Sequence, residues 1–253
     1  MENTIKYHGV KQLNETGYVT AVYTTKNDTA WKYGKEGAFE NCVRLSSALG
    51  IKTDDMVMVS QKHTDKIKVV TRANGGEMVT RFVPDNDFDG MITDERGLML
   101  CTLEADCVPV YLLDPLKKVI GMVHSGWRGT AKNIAVKAVS LMNENFGSDP
   151  CDIIIVTGPC ICAGCYEVGK ELKEDFSTTY SDREMSSFFI DTNKKDKYLL
   201  DLKTAIRISL ERTGVLSGNI LDVGKCTRES SDLCSWRRDN PVVNSMLTGI
   251  ILH

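Results

Sequence analysis

Three short segments contain the side chains that are best suited to chemistry. They read Gln61-Lys-His63-Thr64, Ala105-Asp106-Cys107-Val-Pro109 and His124-Ser-Gly-Trp-Arg-Gly129. In each, a predicted strand meets polar turn residues. Two imidazoles and one thiolate suit zinc, because zinc accepts nitrogen and sulfur ligands in tetrahedral geometry. Three protein ligands would leave the fourth position for water, whose pKa the metal lowers towards neutrality.

The small number of histidines narrows the choice of ligands. The chain has four, at positions 8, 63, 124 and 253, so a site with two ordered imidazoles is expected to use His63 and His124. Asp106 is a candidate to orient one of them. The spacing is not a local metal motif such as HExxH. Two alternatives therefore stay open, namely a buried cysteine with two unrelated histidines, and a metal-free Cys–His nucleophilic pair.

The segment from His124 to Gly129 also suggests an anion site. Its two glycines and Arg128 stand before a predicted helix, Thr130–Phe146, for which Thr130 is the expected N-cap. Unpaired N–H groups at a helix N-terminus, together with an arginine, suit a phosphate group. The alternative is that the glycines merely permit the turn. The segment is not a Walker loop, because Gly-Lys-[Ser/Thr] is absent.

Two further segments have weaker signals. In Pro159-Cys-Ile-Cys162-Ala-Gly-Cys165, a CxxC motif is present, but a zinc knuckle would need a partner pair and the sequence has no second CxxC. The deaminase pattern H-x-E with P-C-x-x-C is not matched either. We predict a turn at a strand end that could line a pocket. Trp236-Arg-Arg-Asp239 is predicted to be a surface turn or a pocket rim.

The elements that must position these residues indicate an α/β fold. Directly consecutive strands disfavour a plain Rossmann fold or barrel, so one domain with mixed sheets layered between helices is the simplest account. Arg44 lies on the first predicted helix. The predicted strands are Tyr18–Thr25, Met56–Ser60, Ile67–Thr71, Gly90–Thr93, Leu98–Leu103, Val108–Leu113, Val119–Val123, Ile153–Thr157, Ile220–Val223 and Met246–Leu252. The predicted helices are Gly37–Leu49, Thr130–Phe146, one around Val168–Phe176, and one marked by Leu199 to Leu210 and closed by Gly214.

Composition limits the possible partners and location. The 253 residues are 42% hydrophobic and 26% charged, with a net charge of −3, which is typical of a globular protein without a basic field. We therefore expect neither nucleic acid nor a membrane as partner. The N-terminal residues lack the pattern of a signal peptide, and the nine cysteines are an odd number, so we expect a cytoplasmic protein with reduced thiols.

Eight phrases in this order resemble the YfiH-like family, whose members are labelled laccase-domain or polyphenol oxidase proteins and purine nucleoside phosphorylases. The resemblance runs from about residue 20 to the end, and the ADC-x-P and H-x-GWRG phrases together are its most specific part. The phrases are Gln61-Lys-His63, Asp89-Gly90-Met-Ile-Thr93, Ala105-Asp106-Cys107-Val-Pro109, His124-Ser-Gly-Trp-Arg-Gly129, Gly158-Pro159-Cys-Ile161, Tyr166-Glu-Val-Gly169, Cys226-Thr227 and Ser235-Trp-Arg-Arg-Asp239.

The resemblance implies a single α/β/β/α domain over residues 1–253. It implies zinc on His63, Cys107 and His124, and an enzyme that cleaves adenosine, inosine, guanosine and methylthioadenosine with phosphate and also deaminates adenosine. Arg44 looks like a pocket residue of the family, and we add Asp106 and Arg128 as candidates to bind nucleoside or phosphate. The partners would be these small molecules, in a monomer or small homo-oligomer. Asn244-Ser245 departs from the family pattern at the expected rim of the pocket.

Three other functions remain as alternatives. One is a metal-free hydrolase or amidase with Cys107 as nucleophile and His124 as base. A second is a binding protein for a metal or a nucleotide. The third, a copper-dependent phenol oxidase, ranks last, because four histidines without a His-x-His pair are too few for a multicopper cluster. A site with nitrogen and sulfur ligands can nevertheless bind copper adventitiously.

Overall fold

The computed structural model describes residues 5–28, 30–241 and 244–253. Within them the chain forms fourteen strands and eight α-helices. The strands are β1 Tyr7–Gly9, β2 Val19–Thr24, β3 Met56–Met58, β4 Ile67–Val69, β5 Gly90–Thr93, β6 Met99–Glu104, β7 Val108–Asp114, β8 Val119–Ser125, β9 Ile154–Thr157, β10 Glu167–Gly169, β11 Phe189–Asp191, β12 Lys197–Leu200, β13 Ile220–Asp222 and β14 Met246–Leu252. The helices are α1 Lys11–Asn14, α2 Ala38–Leu49, α3 Trp127–Ala131, α4 Ile134–Phe146, α5 Glu171–Ser177, α6 Asp182–Phe188, α7 Leu202–Glu211 and α8 Trp236–Asp239.

Two mixed sheets form the middle of the fold. Sheet 1 has the order β1-β2-β14-β6-β3, and sheet 2 has the order β13-β9-β7-β8-β5-β4. Most neighbouring strands are antiparallel, but β3 runs parallel to β6, β4 to β5, and β13 to β9. A third, antiparallel sheet, β10-β12-β11, is smaller.

Apolar side chains join these layers. Leu100 and Ile250 of sheet 1 belong to one buried cluster with Tyr111 and Met122 of sheet 2, so the sheets pack face to face. Helix α2 covers the outer face of sheet 1, while α4 and α7 cover the outer face of sheet 2. This order confirms the predicted α/β/β/α layering. The assignment of residues 1–253 to one domain stays a prediction.

The continuous apolar strands explain why sheet 2 is central. Every residue of β7 and of β8 is buried, as expected for strands that are covered on both faces. Gly121 of β8 lies opposite Leu112, where an added Cβ would contact the Leu112 side chain at 3.1 Å, so a larger residue there would separate the strands. The two strands therefore hold their ends, and the residues next to them, in fixed positions.

The predicted helix Thr130–Phe146 is confirmed from Ile134 to Phe146, but it is interrupted near its start. The chain forms two helices, α3 and α4, separated at Asn133, which has a left-handed backbone with φ of 57°. Asparagine tolerates that conformation, but it ends the run of helical hydrogen bonds. Thr130 therefore lies inside α3, where its hydroxyl donates to the carbonyl of Gly126 at 3.0 Å, and it is not the N-cap.

Two other predicted helices begin too early. Residues 167–169 form β10, so the helix expected around Val168 begins only at Glu171. Residues 197–200 form β12, and the carboxylate of Asp201 then caps α7 by accepting the N–H of Thr204 at 3.2 Å. Strands this short contain too few residues for an alternating pattern, which is why the sequence favoured helices. Among the described residues, no helix has the length and apolar character needed to cross a bilayer.

Candidate metal centre

The three predicted metal ligands meet at one edge of the stacked sheets. Donor atoms of His63, Cys107 and His124 all lie within 4.8 Å of one another. The Cys107 Sγ atom is 3.9 Å from His63 Nε2, and the two imidazole centroids are 4.8 Å apart with an interplanar angle of 79°. Zinc bond lengths of about 2.0–2.3 Å require donor separations of about 3.5 Å, so small side-chain movements would complete the geometry.

Strand topology explains why residues so distant in sequence converge. The loop that carries His63 follows β3, and β3 is parallel to β6, so both strands end at the same edge of sheet 1. From that end of β6 the chain crosses through Cys107 to the start of β7 in sheet 2. His124 lies near the end of β8, opposite Pro109 of β7. The centre is therefore built where the chain passes from one sheet to the other.

Asp89, directly before β5, holds the centre together. Its buried carboxylate accepts backbone N–H groups from Lys62 at 3.2 Å, His63 at 3.0 Å and Thr64 at 2.6 Å, and the Thr64 hydroxyl at 2.7 Å. It also contacts His124 Nδ1 at 2.8 Å. One carboxylate thus fixes the loop that carries the first imidazole and the ring of the second.

The contact with Asp89 determines which nitrogen of His124 carries a proton. Because Asp89 accepts only, the hydrogen bond assigns a proton to His124 Nδ1 and leaves Nε2 directed towards the centre. Burial alone would raise the pKa of Asp89, but hydrogen bonds from His124 and Thr64 lower it to about 2.

The loop around the carboxylate also accounts for the left-handed backbone of His63, which has φ of 58°. Burial and the neighbouring His124 lower the pKa of His63, which favours the neutral imidazole that a metal needs.

Glu104, the last residue of β6, is the second fully buried acid at the centre. Its side chain is fully buried, and neither carboxylate oxygen has a hydrogen-bond partner among the described residues. Its Oε2 atom is 3.7 Å from His124 Nε2. Burial raises the pKa of Glu104 to about 8. A carboxyl group whose pKa is raised by burial beside a metal centre is suited to proton transfer.

Asp106 has a different place from the one expected. Its carboxylate accepts the hydroxyl of Thr227 and the backbone N–H of Arg237, the latter at 2.7 Å. Its own backbone is left-handed, with φ of 84°. Asp89, rather than Asp106, orients the His124 imidazole. Asp106 instead joins the segment before Cys107 to the segment that leads into α8.

Gly126 provides the space in which the three ligands meet. A Cβ atom at this position would lie 2.9 Å from Cys107 Sγ and 3.0 Å from His63 Cδ2, although the backbone, with φ of −73°, would accept alanine. We expect Gly126→Ala to fold but to displace the thiol and the imidazole, with turnover about 10- to 100-fold lower. Zinc content and turnover would be measured against Gly218→Ala, where an added Cβ meets nothing within 4 Å. Unchanged zinc content and turnover in Gly126→Ala would contradict this geometry.

A cavity of about 790 Å³ opens over the centre. This volume is within the range of small-molecule sites. Its walls combine aromatic and cationic side chains with the three ligands. The aromatic residues are Tyr33, Trp127, Tyr166 and Trp236, and the cationic residues are Lys32, Lys62, Arg128, Lys197 and Arg237. Ser245, in the segment that departs from the family pattern, also lines it.

The remaining predicted residues divide between this cavity and other places. Asp106 and Arg128 line it, and α8 forms its rim, as one of the two readings of Trp236-Arg-Arg-Asp239 predicted. Arg44 is not among the described lining residues. It lies on α2, where it contacts Asp28 at 2.7 Å and Asn41 at 3.0 Å. The expected helix N-terminus after Gly129 is also wrong, because Gly129 lies inside the short helix α3.

Sequence reasoning missed the roles of Asp89 and Glu104. Asp89 lies in a segment that resembles the family, directly before the strand Gly90–Thr93. An acid at such a position is a sequence signal for a partner of a nearby imidazole. Glu104 is the acid that ends an apolar strand, three residues before Cys107.

Known proteins are similar to this chain in both sequence and fold. The model of the family described as multi-copper polyphenol oxidoreductase laccase matches residues 13–253. Mouse (Mus musculus) purine nucleoside phosphorylase LACC1 is 32% identical over 198 residues, which are 78% of this chain and 41% of the relative. Purine nucleoside phosphorylase YlmD of Geobacillus stearothermophilus is 34% identical over 211 residues, 82% and 76% of the two chains.

One further relative and one solved structure complete the comparison. Adenosine deaminase RL5, from an unknown prokaryotic organism, is 30% identical over 208 residues, 81% of this chain and 78% of the relative. The crystal structure of the hypothetical protein YfiH from Bacillus licheniformis superposes with a TM-score of 0.88 at 30% identity, covering 100% of this chain and 98% of that one. The chain spans less than half of the mouse relative. Together these matches show that the chain belongs to the laccase-like YfiH family.

Proposed function

We propose that the chain is a zinc-dependent enzyme that cleaves purine nucleosides with phosphate and also deaminates adenosine. The observation that carries this proposal is the convergence of His63, Cys107 and His124 at a cavity of about 790 Å³. Relatives named purine nucleoside phosphorylase and adenosine deaminase supply the substrate class.

The donor set suits zinc. Two imidazole nitrogens and one thiolate are common catalytic zinc ligands, and three protein ligands leave one position open. Asp89 holds His124 through Nδ1, as a carboxylate does beside many zinc-bound histidines. Gly126 leaves the space between thiol and imidazole clear. When bound, zinc supplies a Lewis acid, which makes water a nucleophile near neutral pH.

The cavity walls suit a nucleoside. Trp127, Tyr166 and Trp236 present aromatic rings, and the stacking of a base on such a ring contributes about 1–3 kcal/mol. Arg237 keeps Tyr166 in place, because its guanidinium lies 5.2 Å from the ring and also donates to the carbonyl of Glu167 at 3.0 Å. A purine could thus bind between fixed aromatic surfaces without a large rearrangement of the backbone.

Arg128 is the first candidate for phosphate. It is exposed at the cavity, with its guanidinium 4.4 Å from the Trp127 ring, so a phosphate bound there would lie beside a stacked base. Attack of phosphate on the ribose C1′ carbon forms ribose 1-phosphate and releases the purine, and it depends chiefly on positioning and charge.

Glu104 is the candidate for proton transfer. Its carboxyl lies beside the centre, shielded from water, and can give a proton to a leaving purine or to a ring nitrogen during deamination. The purine leaves with that proton, and the carboxylate regains one from water or from protonated phosphate before the next turnover; in deamination the attacking water supplies it. One acid could therefore serve both reactions.

Arg128→Ala is expected to raise the KM for phosphate at least about tenfold, because a charge-assisted hydrogen bond contributes about 1.5–3 kcal/mol. Deamination of adenosine should change little, since that reaction uses no phosphate. Initial rates at varied phosphate, compared with those of Arg183→Ala on the surface of α6, test this. An unchanged phosphate KM would remove Arg128 from the phosphate site.

A metal-free cysteine hydrolase is the second candidate, favoured because Cys107 Sγ lies 3.9 Å from His63 Nε2 and within 4.8 Å of a ring nitrogen of His124, the base expected from the sequence. Such a pair would work without metal and would be inactivated by alkylation of the thiol. Retention of activity after metal removal would favour it. A multicopper reaction is less well supported, because two imidazoles and one thiol provide ligands for one ion.

The experiment that tests the proposal is product analysis. Zinc-loaded protein would be incubated with adenosine and phosphate, and the products would be resolved by chromatography. Adenine with ribose 1-phosphate would support phosphorolysis, and inosine or hypoxanthine would support deamination. Absence of all four products, from protein with zinc bound at the centre, would refute the proposal.

A further inference from the structure

A second cluster of metal-binding side chains lies apart from the first. Donor atoms of Cys162, Cys165, Cys226 and Glu229 are all within 4.8 Å of one another. The Cys165 Sγ atom is 3.5 Å from Glu229 Oε1, and the Cys162 Sγ atom is 3.9 Å from the same oxygen. None of the four is among the described residues that line the cavity.

Backbone hydrogen bonds hold the two segments that carry these ligands side by side. Cys162 and Cys165 span a short 3₁₀ turn, closed by a hydrogen bond from the Cys165 N–H to the Cys162 carbonyl at 3.0 Å. The N–H of Cys162 also donates to Cys226 Sγ at 3.3 Å. A bridge pairs Cys160 with Cys226, so the two segments are joined beside the cluster.

The spacing is that of a divided zinc site. Cys162-x-x-Cys165 is one half, and Cys226-Thr-Arg-Glu229 is the other, with a carboxylate in place of the fourth thiol. A search for a second CxxC therefore does not find the partner pair. Thiolates favour zinc and other soft metals, and a carboxylate oxygen is also a zinc ligand.

We propose that Cys162, Cys165, Cys226 and Glu229 bind a second zinc ion, and that this ion is structural. Four protein ligands fill a tetrahedral shell and leave no position for substrate. This inference is independent of the reaction at the first centre, because it rests on a different set of side chains.

The place of the cluster in the fold gives the ion its role. The segment of Cys165 continues directly into Tyr166 of the cavity wall. The segment of Cys226 continues into Thr227, which donates to Asp106 beside Cys107. A metal that joins the two segments would fix one wall of the cavity relative to the first centre.

The test is the zinc content of the full-length chain, purified under reducing conditions, loaded with zinc and desalted. We expect about two ions per chain in the wild type and about one in Cys226→Ser. His63→Ala should also keep about one, because it alters only the first centre. Cys151→Ser, which changes a half-buried cysteine outside the cluster, should keep about two.

Cobalt replacement tests the ligands even if Cys226→Ser does not fold. In His63→Ala, the bound cobalt should show the sulfur-to-cobalt charge-transfer absorption of a site with several thiolates. His63→Ala without bound zinc, Cys226→Ser with as much zinc as the wild type, or cobalt without that absorption in His63→Ala would overturn the proposal.

Discussion

Asp89→Asn is expected to bind zinc at the first centre about 10- to 100-fold more weakly than the wild type, with a comparable loss of turnover. The asparagine keeps the size of the side chain, but its amide group cannot accept all of the hydrogen bonds that the carboxylate accepts. At least one N–H of the loop at residues 62–64, or His124 Nδ1, would lose its partner. We also expect the free energy of unfolding to fall by about 3 kcal/mol, because a buried charged network is broken.

The matched control is Asp85→Asn. Asp85 is exposed, in the segment before β5, and it has a left-handed φ of 54°, which asparagine tolerates. Zinc affinity from competition with a chelator, and stability from chemical denaturation, would be measured for both proteins. If Asp89→Asn bound zinc as tightly as the Asp85→Asn control, the carboxylate would not be what holds the centre together.

Glu104→Gln is expected to lower kcat by about 10²–10⁴-fold, the usual contribution of a general acid or base. Glutamine has nearly the same shape but holds no transferable proton, so the zinc content and the KM for nucleoside should change little. This division between kcat and KM separates proton transfer from a merely structural role.

Glu144→Gln on the exposed face of α4 is the control for this substitution. Steady-state rates would be measured for phosphorolysis and for deamination separately. A fall in kcat for one reaction only would show that the two reactions use different acids. Wild-type kcat for both reactions in Glu104→Gln would remove Glu104 from the mechanism.

The layered fold could be predicted because its strongest signals are local. The strands β5 and β14 begin and end where the apolar runs Gly90–Thr93 and Met246–Leu252 predicted them. The short strands of the third sheet, β10-β12-β11, and the break at Asn133 could not be predicted. They depend on pairing and on one left-handed residue, which a pattern of apolar spacing does not contain.

The convergence of His63, Cys107 and His124 could be predicted because histidine is rare in this chain and because the family resemblance implies it. The contacts of Asp89 and Glu104 with His124 could not be predicted, because they depend on how the folded strands are arranged. The role of Arg44 at the pocket stays a prediction, since its guanidinium contacts Asp28 and it is not among the described residues that line the cavity. The second cluster could not be predicted from the sequence, because Cys162 and Cys165 are far from Cys226 in sequence and the fourth member, Glu229, is not a cysteine.

The most direct test of the central claim is the turnover of adenosine with phosphate as a function of metal at the first centre. Zinc would be removed by dialysis against a chelator and then added back in steps. We expect turnover to be lost with the metal, by at least about 10²-fold, and to return as the His63, Cys107 and His124 site fills with zinc. Full turnover by the metal-free protein would contradict a zinc-dependent enzyme and would leave the Cys107 thiol as the nucleophile.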